Sequence, residues 1–323
     1  MNLSHAYGVP PSAEVGERVL LEALDAGVTM FDTAALYGFG ANEQLVGRVL
    51  KPHRDRIVLA SKGGMAGVDV AGDGKLTRVI NGRPEAIRQN CEDSLRRLAT
   101  EVIDLYYLHR WDKKVPIEDS VGEMSRLVER GWVRSIGLSE VSAATIRRAH
   151  AVHPLTAVQS EYSLWTRNPE LGALQACDEL KIAFVAFSPL GRGFFGGQLL
   201  DVQNLVAGDV RRAMPRFSPE AYAQNLRLLT QHIALTKRLG CTPAQLALAW
   251  LLHQSPTIIP LFGTTRVEHL HENLGAGRVV LTPECLRELD QLFNHNNVAG
   301  DRYSVQSNTE VDAETYASPS AKV

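Results

Sequence analysis

The chain has 323 residues, 34 Lys+Arg against 36 Asp+Glu for a formal net charge of −2, and 45% hydrophobic residues. That balance excludes a chain built as a polyanion binder, and the apolar content with only 22% charged residues excludes a mostly disordered one. No apolar run approaches the roughly 18 residues of a membrane span, and the N-terminal MNLSHAYGVPP has neither the basic nor the apolar region of a signal peptide.

In chain order, short apolar runs alternate with helical patterns. Residues 28–34 and 57–62 read as strands. Residues 84–98 read as a helix with Ile87, Cys91, Leu95 and Leu98 on one face. A strand at 103–109 precedes a helix at 118–130 that aligns Val121, Met124, Leu127 and Val128. Strands follow at 135–140, 157–162 and 183–190. Thr242-Pro243-Ala244-Gln245 is a capping box with proline at the first helical position, opening a helix over 243–254. A strand at 257–263 and an amphipathic helix at 283–294, with Leu286, Leu289 and Phe293, complete the pattern. The tail over 300–323 is polar and is expected as loop or disorder. No linker or internal repeat divides the chain, so 1–323 reads as a single domain, although roughly 150 residues per domain would allow two. Four scattered cysteines (Cys91, Cys177, Cys241, Cys285) imply neither a disulfide framework nor a zinc site, and a cytoplasmic location is the default.

Strands buried on both faces and alternating with helices leave two α/β architectures, an open doubly wound sheet or a closed (β/α)8 TIM barrel. Asp32, Lys62, His109, Ser139, Gln159 and Ser188 each sit at or near the C-terminal end of a predicted strand. In a barrel those ends converge on one mouth; in an open sheet they would be strung along an edge. Asp32, Tyr37, Lys62 and His109 are also chemically coherent. A lysine near a phenol favours the phenolate and is expected to lower its pKa, a carboxylate holds the lysine, and a neutral histidine hydrogen-bonds a carbonyl oxygen. Such a set gives a proton to the alkoxide that forms when hydride reaches a carbonyl.

FDTAALYG (31–38), LASKGG (59–64), IDLYYLHRWD (103–112), IGLSE (136–140), VQSEYSLW (158–165), FSPLGRG (187–193) and IPLFGTTRVEHLHEN (259–273) resemble the aldo-keto reductases, in order and over nearly the whole chain. The resemblance is nearest to the short-loop bacterial and plant branch with auxin-induced-type and pyridoxal reductases. It implies a (β/α)8 barrel and NADPH-dependent reduction of an aldehyde or ketone. It makes Tyr37 the general acid, Lys62 and Asp32 its tuning pair, and His109 the carbonyl-orienting group. Ser139 and Gln159 would hold the nicotinamide carboxamide, and Phe187 would stack on the ring. Ser188, Leu190, Gly191 and Gly193 would cover the diphosphate. Gly263, Thr264, Thr265 and Arg266 would take the adenosine phosphate, and Glu272 with Asn273 the adenine. Two positions depart from the family. Glu140 stands where many members have Asn, and His269 where several place Arg, which leaves Arg266 as the main cation for a 2′-phosphate.

The resemblance also implies that a hairpin and the first barrel strand precede Met1. Residues 1–3 would end that strand and 13–26 would be the first helix, so the chain is expected to start late with its first strand truncated or missing. The expected substrate pocket is aromatic, built from Trp111, Trp165, Phe194 and Phe195 with the tail near Arg302 and Tyr303. It would take a small-molecule carbonyl compound, with no nucleic acid or membrane partner. The second functional class is an NADPH-binding regulatory subunit like the potassium-channel beta subunits.

Plainer readings stand beside these. Asp32–Lys62 is also what a structural ion pair in a barrel core looks like, Tyr37 a packed loop aromatic, His109 a core histidine and Phe187 barrel filling. The G-x-G-x-x-G of Gly191, Gly193 and Gly196 lacks an apolar helix directly after it and reads as a loop over a diphosphate, not a dinucleotide-fold fingerprint. His269, His271 and Glu272 form no closed ligand set, because alternate helical positions point apart, and no metal is expected. His150 and His153 read as a solvated surface.

Overall fold

The computed structural model describes residues 1–198 and 200–316. Seven strands form one parallel sheet in chain order: β1 (Met30–Asp32), β2 (Val58–Gly63), β5 (Ile103–Leu108), β6 (Val133–Ser139), β7 (Ala157–Glu161), β8 (Ala183–Phe187) and β9 (Ile258–Leu261). All seven strands read from the sequence are present. Between β2 and β5 lies an antiparallel hairpin the pattern did not announce, β3 (Met65–Val68) and β4 (Thr77–Ile80), with Met65 opposite Ile80.

Eleven helices are described. They are α1 (Ala13–Asp25), α2 (Ala41–Leu50), α3 (Pro84–Leu98), α4 (Ile117–Glu129), α5 (Ala143–Val152), α6 (Ala173–Leu180), α7 (Pro219–Leu239), α8 (Pro243–Leu252), α9 (Val267–Leu274), α10 (Pro283–Leu292) and α11 (Val305–Asn308). The capping box is formed: Gln245 N–H donates to Thr242 Oγ1 at 3.2 Å and Thr242 N–H to Gln245 Oε1 at 3.1 Å. A capping residue of this kind is worth about 1 kcal/mol. Helix α8 is apolar all round because it is covered on every side, with Leu246 through Leu251 buried.

The sheet separates two cores, and the two-residue pleat decides which side chains enter each. Facing the helices, Leu59, Tyr106, Leu108, Val158, Phe184 and Ala186 join the large outer cluster. Facing inward, Ala60, Leu105, Tyr107, Ala157 and Val185 pack together, with Met30, Ala183 and Leu261 against them. The sheet therefore curls around its own small core. Gly137 leaves room for this: a Cβ there would lie 2.7 Å from the Tyr107 ring and 2.5 Å from the Ala157 carbonyl oxygen.

Strands β1 and β9 are the sheet edges, and among the described residues no strand pairs between them. The helix layer does meet across this gap, where His271 Nε2 of α9 lies 2.8 Å from Glu22 of α1. Residues 1–7 lie over the same opening. Ser4 Oγ accepts from Asn42 Nδ2 at 2.8 Å, and Gly38 N–H donates to His5 Nδ1 at 3.2 Å.

The polar tail departs from its expectation as far as it is described. It folds back over the sheet's C-terminal end, with Lys113 Nζ donating to the carbonyls of Thr309 (3.1 Å) and Val311 (2.6 Å). Ser142 Oγ donates to Asp312 at 2.9 Å, and Tyr316 OH to the Arg167 carbonyl at 3.2 Å. Polarity here serves pairing to the loops rather than solvation. Residues 317–323 of that tail lie outside the described residues.

Candidate active site

The inward rows of the strands continue past the small core into five polar side chains and one aromatic ring. Asp32 follows Met30, Lys62 follows Ala60, His109 follows Tyr107, Ser139 follows Gly137, Gln159 follows Ala157 and Phe187 follows Val185, each two residues on and hence on the same face. Parallel register staggers some of these ends by one inward step and levels others: Asp32 is opposite Ala60 and Lys62 opposite Tyr107, whereas Ser139 is opposite Gln159. Packing among strands, rather than loop conformation, therefore positions the cluster.

Lys62 and Asp32 form an ion pair in which the side chains are only 1% and 4% exposed. Lys62 Nζ also donates to the Thr33 carbonyl at 2.9 Å and to Tyr37 OH at 3.3 Å. The second oxygen of Asp32 accepts from Gln159 Nε2 at 2.9 Å. The Tyr37 ring meets His109 edge-on, with centroids 5.7 Å apart, and His5 on another side at 5.6 Å. Burial raises the Tyr37 pKa more than Lys62 lowers it, so the phenol sits above its ordinary value. This corrects the expectation of a net lowering: the lysine acts as foreseen, but desolvation of the phenolate is the larger effect. Burial would lower the Lys62 pKa, yet Asp32 and Tyr37 together leave it raised. Burial, with Arg110 and Lys62 nearby, holds His109 well below the usual histidine range and keeps it neutral. Its Nδ1 is buried without a partner among the described residues.

One cavity of about 1020 Å³ runs from this cluster across the strand ends. Asp32, Tyr37, His109, Ser139, Gln159, Phe187, Ser188, Leu190, Gly193, Gly263, Thr264, Glu272 and Asn273 all line it. Between its two ends the backbone is left-handed at Ser188 (φ 51°), Gly191 (φ 56°), Arg192 (φ 58°) and Gly193 (φ 94°). Two of the four are not glycine, a local strain typical of ligand-holding loops. Gly191 is required for packing, since a Cβ there would sit 2.9 Å from the Trp165 indole.

A sequence model of the aldo/keto reductase family matches residues 1–294. The chain belongs to the aldo/keto reductase family. It is 47% identical over 304 residues to "Probable aldo-keto reductase 1" of Glycine max, covering 94% of this chain and 86% of that one. Among solved structures it is similar to a glycerol dehydrogenase of Gluconobacter oxydans, with TM-score 0.79, 26% identity, and 97% of this chain and 91% of that one covered. It is also similar to an aldo/keto reductase of Klebsiella pneumoniae solved with NADP and acetate, with TM-score 0.67, 26% identity, and 93% and 94% covered. As an aldo/keto reductase this chain is an NADP-dependent oxidoreductase.

The residues present fit such a cofactor. The cavity is long, its reactive end carries His109 with an unsatisfied buried nitrogen, and its middle is a cradle of left-handed backbone. At the far end Arg266 precedes the first turn of α9, whose free N–H groups favour an anion. Arg266 itself is 60% exposed, faces Glu268 at 3.7 Å and, like Thr265, stands outside the cavity wall; His269 lines it. The G-x-G-x-x-G segment is a short-turned loop, and α7 begins only at Pro219.

The aromatic pocket expected for the reductase is not where the structure places those residues. Trp165, Phe194 and Phe195 are buried in the outer core, Trp165 stacked on Phe194 at 4.3 Å and Phe195 edge-on to Phe293 at 5.2 Å. Trp111 donates to the Val115 carbonyl at 2.8 Å and packs beside Arg148. None of the four lines the cavity. Of the aromatic and tail candidates, Tyr303 does, joined by Tyr7, Phe39 and Met65.

Glu140 is likewise turned away from the cavity by left-handed backbone (φ 57°). It accepts from Glu161 N–H at 2.8 Å and pairs with Arg302. Glu161 pairs with Arg192 at 2.6 Å, and Arg192 donates to Tyr7 OH at 3.0 Å and Tyr303 OH at 3.2 Å. Burial would raise the Glu161 pKa, but Arg192 and Arg302 hold it below the usual carboxylate value. This network ties strand β7, the loop after β8 and the tail together. Sequence reasoning missed it because its partners are up to 185 positions apart. The histidines set aside as ligands have other partners. His271 meets Glu22, His150 Nδ1 accepts from Leu155 N–H at 3.2 Å, and His153 lies 2.9 Å from Ser125 Oγ.

Proposed function

We propose that this oxidoreductase reduces an aldehyde or ketone to the alcohol with Tyr37 as proton donor, on a sheet that forms seven strands of a (β/α)8 barrel. The observation that carries the proposal is the Tyr37 hydroxyl on the cavity wall, 3.3 Å from a lysine whose charge is fixed by a buried carboxylate. When bound, NADPH supplies the hydride. Ser139 and Gln159 would hold its carboxamide, Phe187 its ring, the 188–193 loop its diphosphate, Gly263, Thr264, Thr265 and Arg266 its adenosine phosphate, and Glu272 with Asn273 its adenine. Neutral His109 beside Tyr37 orients the carbonyl oxygen toward the phenol.

Tyr37 then gives its proton to that oxygen as negative charge grows there, and Lys62 stabilises the phenolate left behind. A phenol whose pKa lies above its ordinary value is fully protonated at neutral pH, which a donor requires. Asp32 keeps Lys62 charged and in place, while Gln159 fixes the second oxygen of Asp32. Tyr303, Ser304 and Ser307 of the tail line the same cavity. No observation favours the channel-subunit reading.

The test is NADPH oxidation against a panel of aldehydes and ketones. Sustained multiple turnover supports the proposal, and consumption of a single equivalent of NADPH with every carbonyl contradicts it.

A further inference from the structure

The cavity is lined by several cations, and nearly all are already neutralised. Arg78 makes a two-pronged contact with Glu310 at 2.6 and 2.7 Å. Arg192 holds Glu161 at 2.6 Å, and Arg211 holds Asp209 at 2.7 Å. Lys62 holds Asp32. Arg110 is different. Among the described residues no carboxylate lies within ion-pair distance of it, although it follows His109 directly and lines the cavity.

The acid two residues on, and the acid next to its partner Ser139, are used elsewhere. Glu140, next to Ser139, is turned toward Arg302. Asp112 accepts from Gly82 N–H at 3.3 Å and Lys114 N–H at 3.2 Å.

The guanidinium is nevertheless held still. Its Nη1 donates to the His109 carbonyl at 2.7 Å and to Ser139 Oγ at 3.1 Å. That leaves the Nε–Nη2 edge without a protein acceptor among the described residues. This edge of a guanidinium matches two oxygens of a carboxylate or phosphate. A fixed, uncompensated cation costs little to desolvate only when an anion arrives to pair it. The position also separates this site from the cofactor's phosphates. Arg110 follows β5 at the reactive end, whereas Gly263 and Thr264 follow β9 at the opposite edge of the sheet.

We infer that Arg110 is a substrate-recognition residue: the protein takes carbonyl compounds bearing a carboxylate or phosphate, which the free edge of this guanidinium binds while the carbonyl lies at Tyr37 and His109. The inference rests on the reductase reading above. Arg110 fixes the far end of the substrate and takes no part in proton transfer.

The test compares kcat/KM for methyl 4-formylbenzoate, 4-carboxybenzaldehyde and 4-formylphenyl phosphate in the natural protein, Arg110→Gln and Arg110→Lys. The readout is the ratio of each anion to the neutral ester within one variant, so any general loss common to all three substrates cancels. The natural protein is expected to favour at least one anion over the ester by about tenfold or more, as a charge-assisted bond gives. Which anion is favoured identifies the group. The ratio should fall to about one in Arg110→Gln and be partly kept in Arg110→Lys, which retains the charge but not the fork. Equal use of ester and anions by the natural protein, or an unchanged ratio in Arg110→Gln, overturns the anion site while leaving the reductase reading intact. No turnover of any of the three overturns both.

Discussion

The two ends of the cavity are built differently. At the reactive end, Asp32, Lys62 and His109 stand on the inward rows of adjacent strands, nearly excluded from solvent, and Asp32 and Lys62 are each held by more than one partner. At the far end, Gly263, Thr264 and Arg266 lie on a loop after the edge strand β9, and Arg266 is 60% exposed with one distant acid beside it. The contrast separates two tasks. Proton transfer needs atoms placed to fractions of an ångström in a dry site, whereas gripping a phosphate needs a reachable charge. Damage at the first end should therefore reach both chemistry and stability, and damage at the second should change affinity alone.

Lys62→Met gives the largest expected effect. It leaves Asp32 buried without its cation, a loss of about 3–5 kcal/mol where a buried pair is broken, and removes the charge beside Tyr37. Turnover should fall about a hundredfold or more, and the thermal midpoint should drop with it. Steady-state kinetics and a melt on the same sample check both. An unchanged midpoint would mean that Asp32 is not buried as tightly as the contrast requires.

Arg266→Ala is the counterpart at the far end. NADPH affinity should weaken about tenfold or more, NADH affinity should barely move, and the melt should stay put, because the side chain is exposed. Titration of both cofactors measures this, and equal weakening would place the 2′-phosphate contact elsewhere.

The pH profile sharpens the contrast with a smaller effect. Tyr37 titrates above its ordinary value of 10.0 and must be protonated to donate. His109 titrates well below 6.5 and must be neutral. The kcat/KM for reduction should thus be flat from about pH 6.5 to 10 and decline only as Tyr37 loses its proton at higher pH. An acid limb near 6.5 would show that His109 is more solvated than the structure has it.

The same contrast explains what the sequence disclosed. Continuous apolar runs revealed all seven sheet strands, and the polar residues ending them lie together because a two-residue pleat leaves no other face for them. Helix boundaries with a capping box or an N1 proline, such as Pro84 and Pro243, were legible to within a few residues. The hairpin of Met65–Val68 and Thr77–Ile80 was not, because its strands are short, partly exposed and separated by a polar stretch. The aromatic trio Trp165, Phe194 and Phe195 misled because aromatic content says nothing about which side of a strand-end loop a ring takes. The Glu140–Arg302 and Glu161–Arg192 pairs join distant segments and leave no local pattern. Arg110 stood in plain view beside His109, and what distinguishes it from an ordinary surface arginine is a property of the folded chain: a fixed place on the cavity wall with no partnering acid among the described residues.

The most direct measurement of the central claim is Tyr37→Phe, assayed for turnover and NADPH affinity side by side. In the proposed mechanism the phenol supplies the proton and the proposed cofactor contacts lie elsewhere. Turnover should therefore fall about a hundredfold or more, with NADPH affinity within about twofold of the natural protein. A variant that keeps most of its turnover would contradict the assignment of Tyr37 as the proton donor.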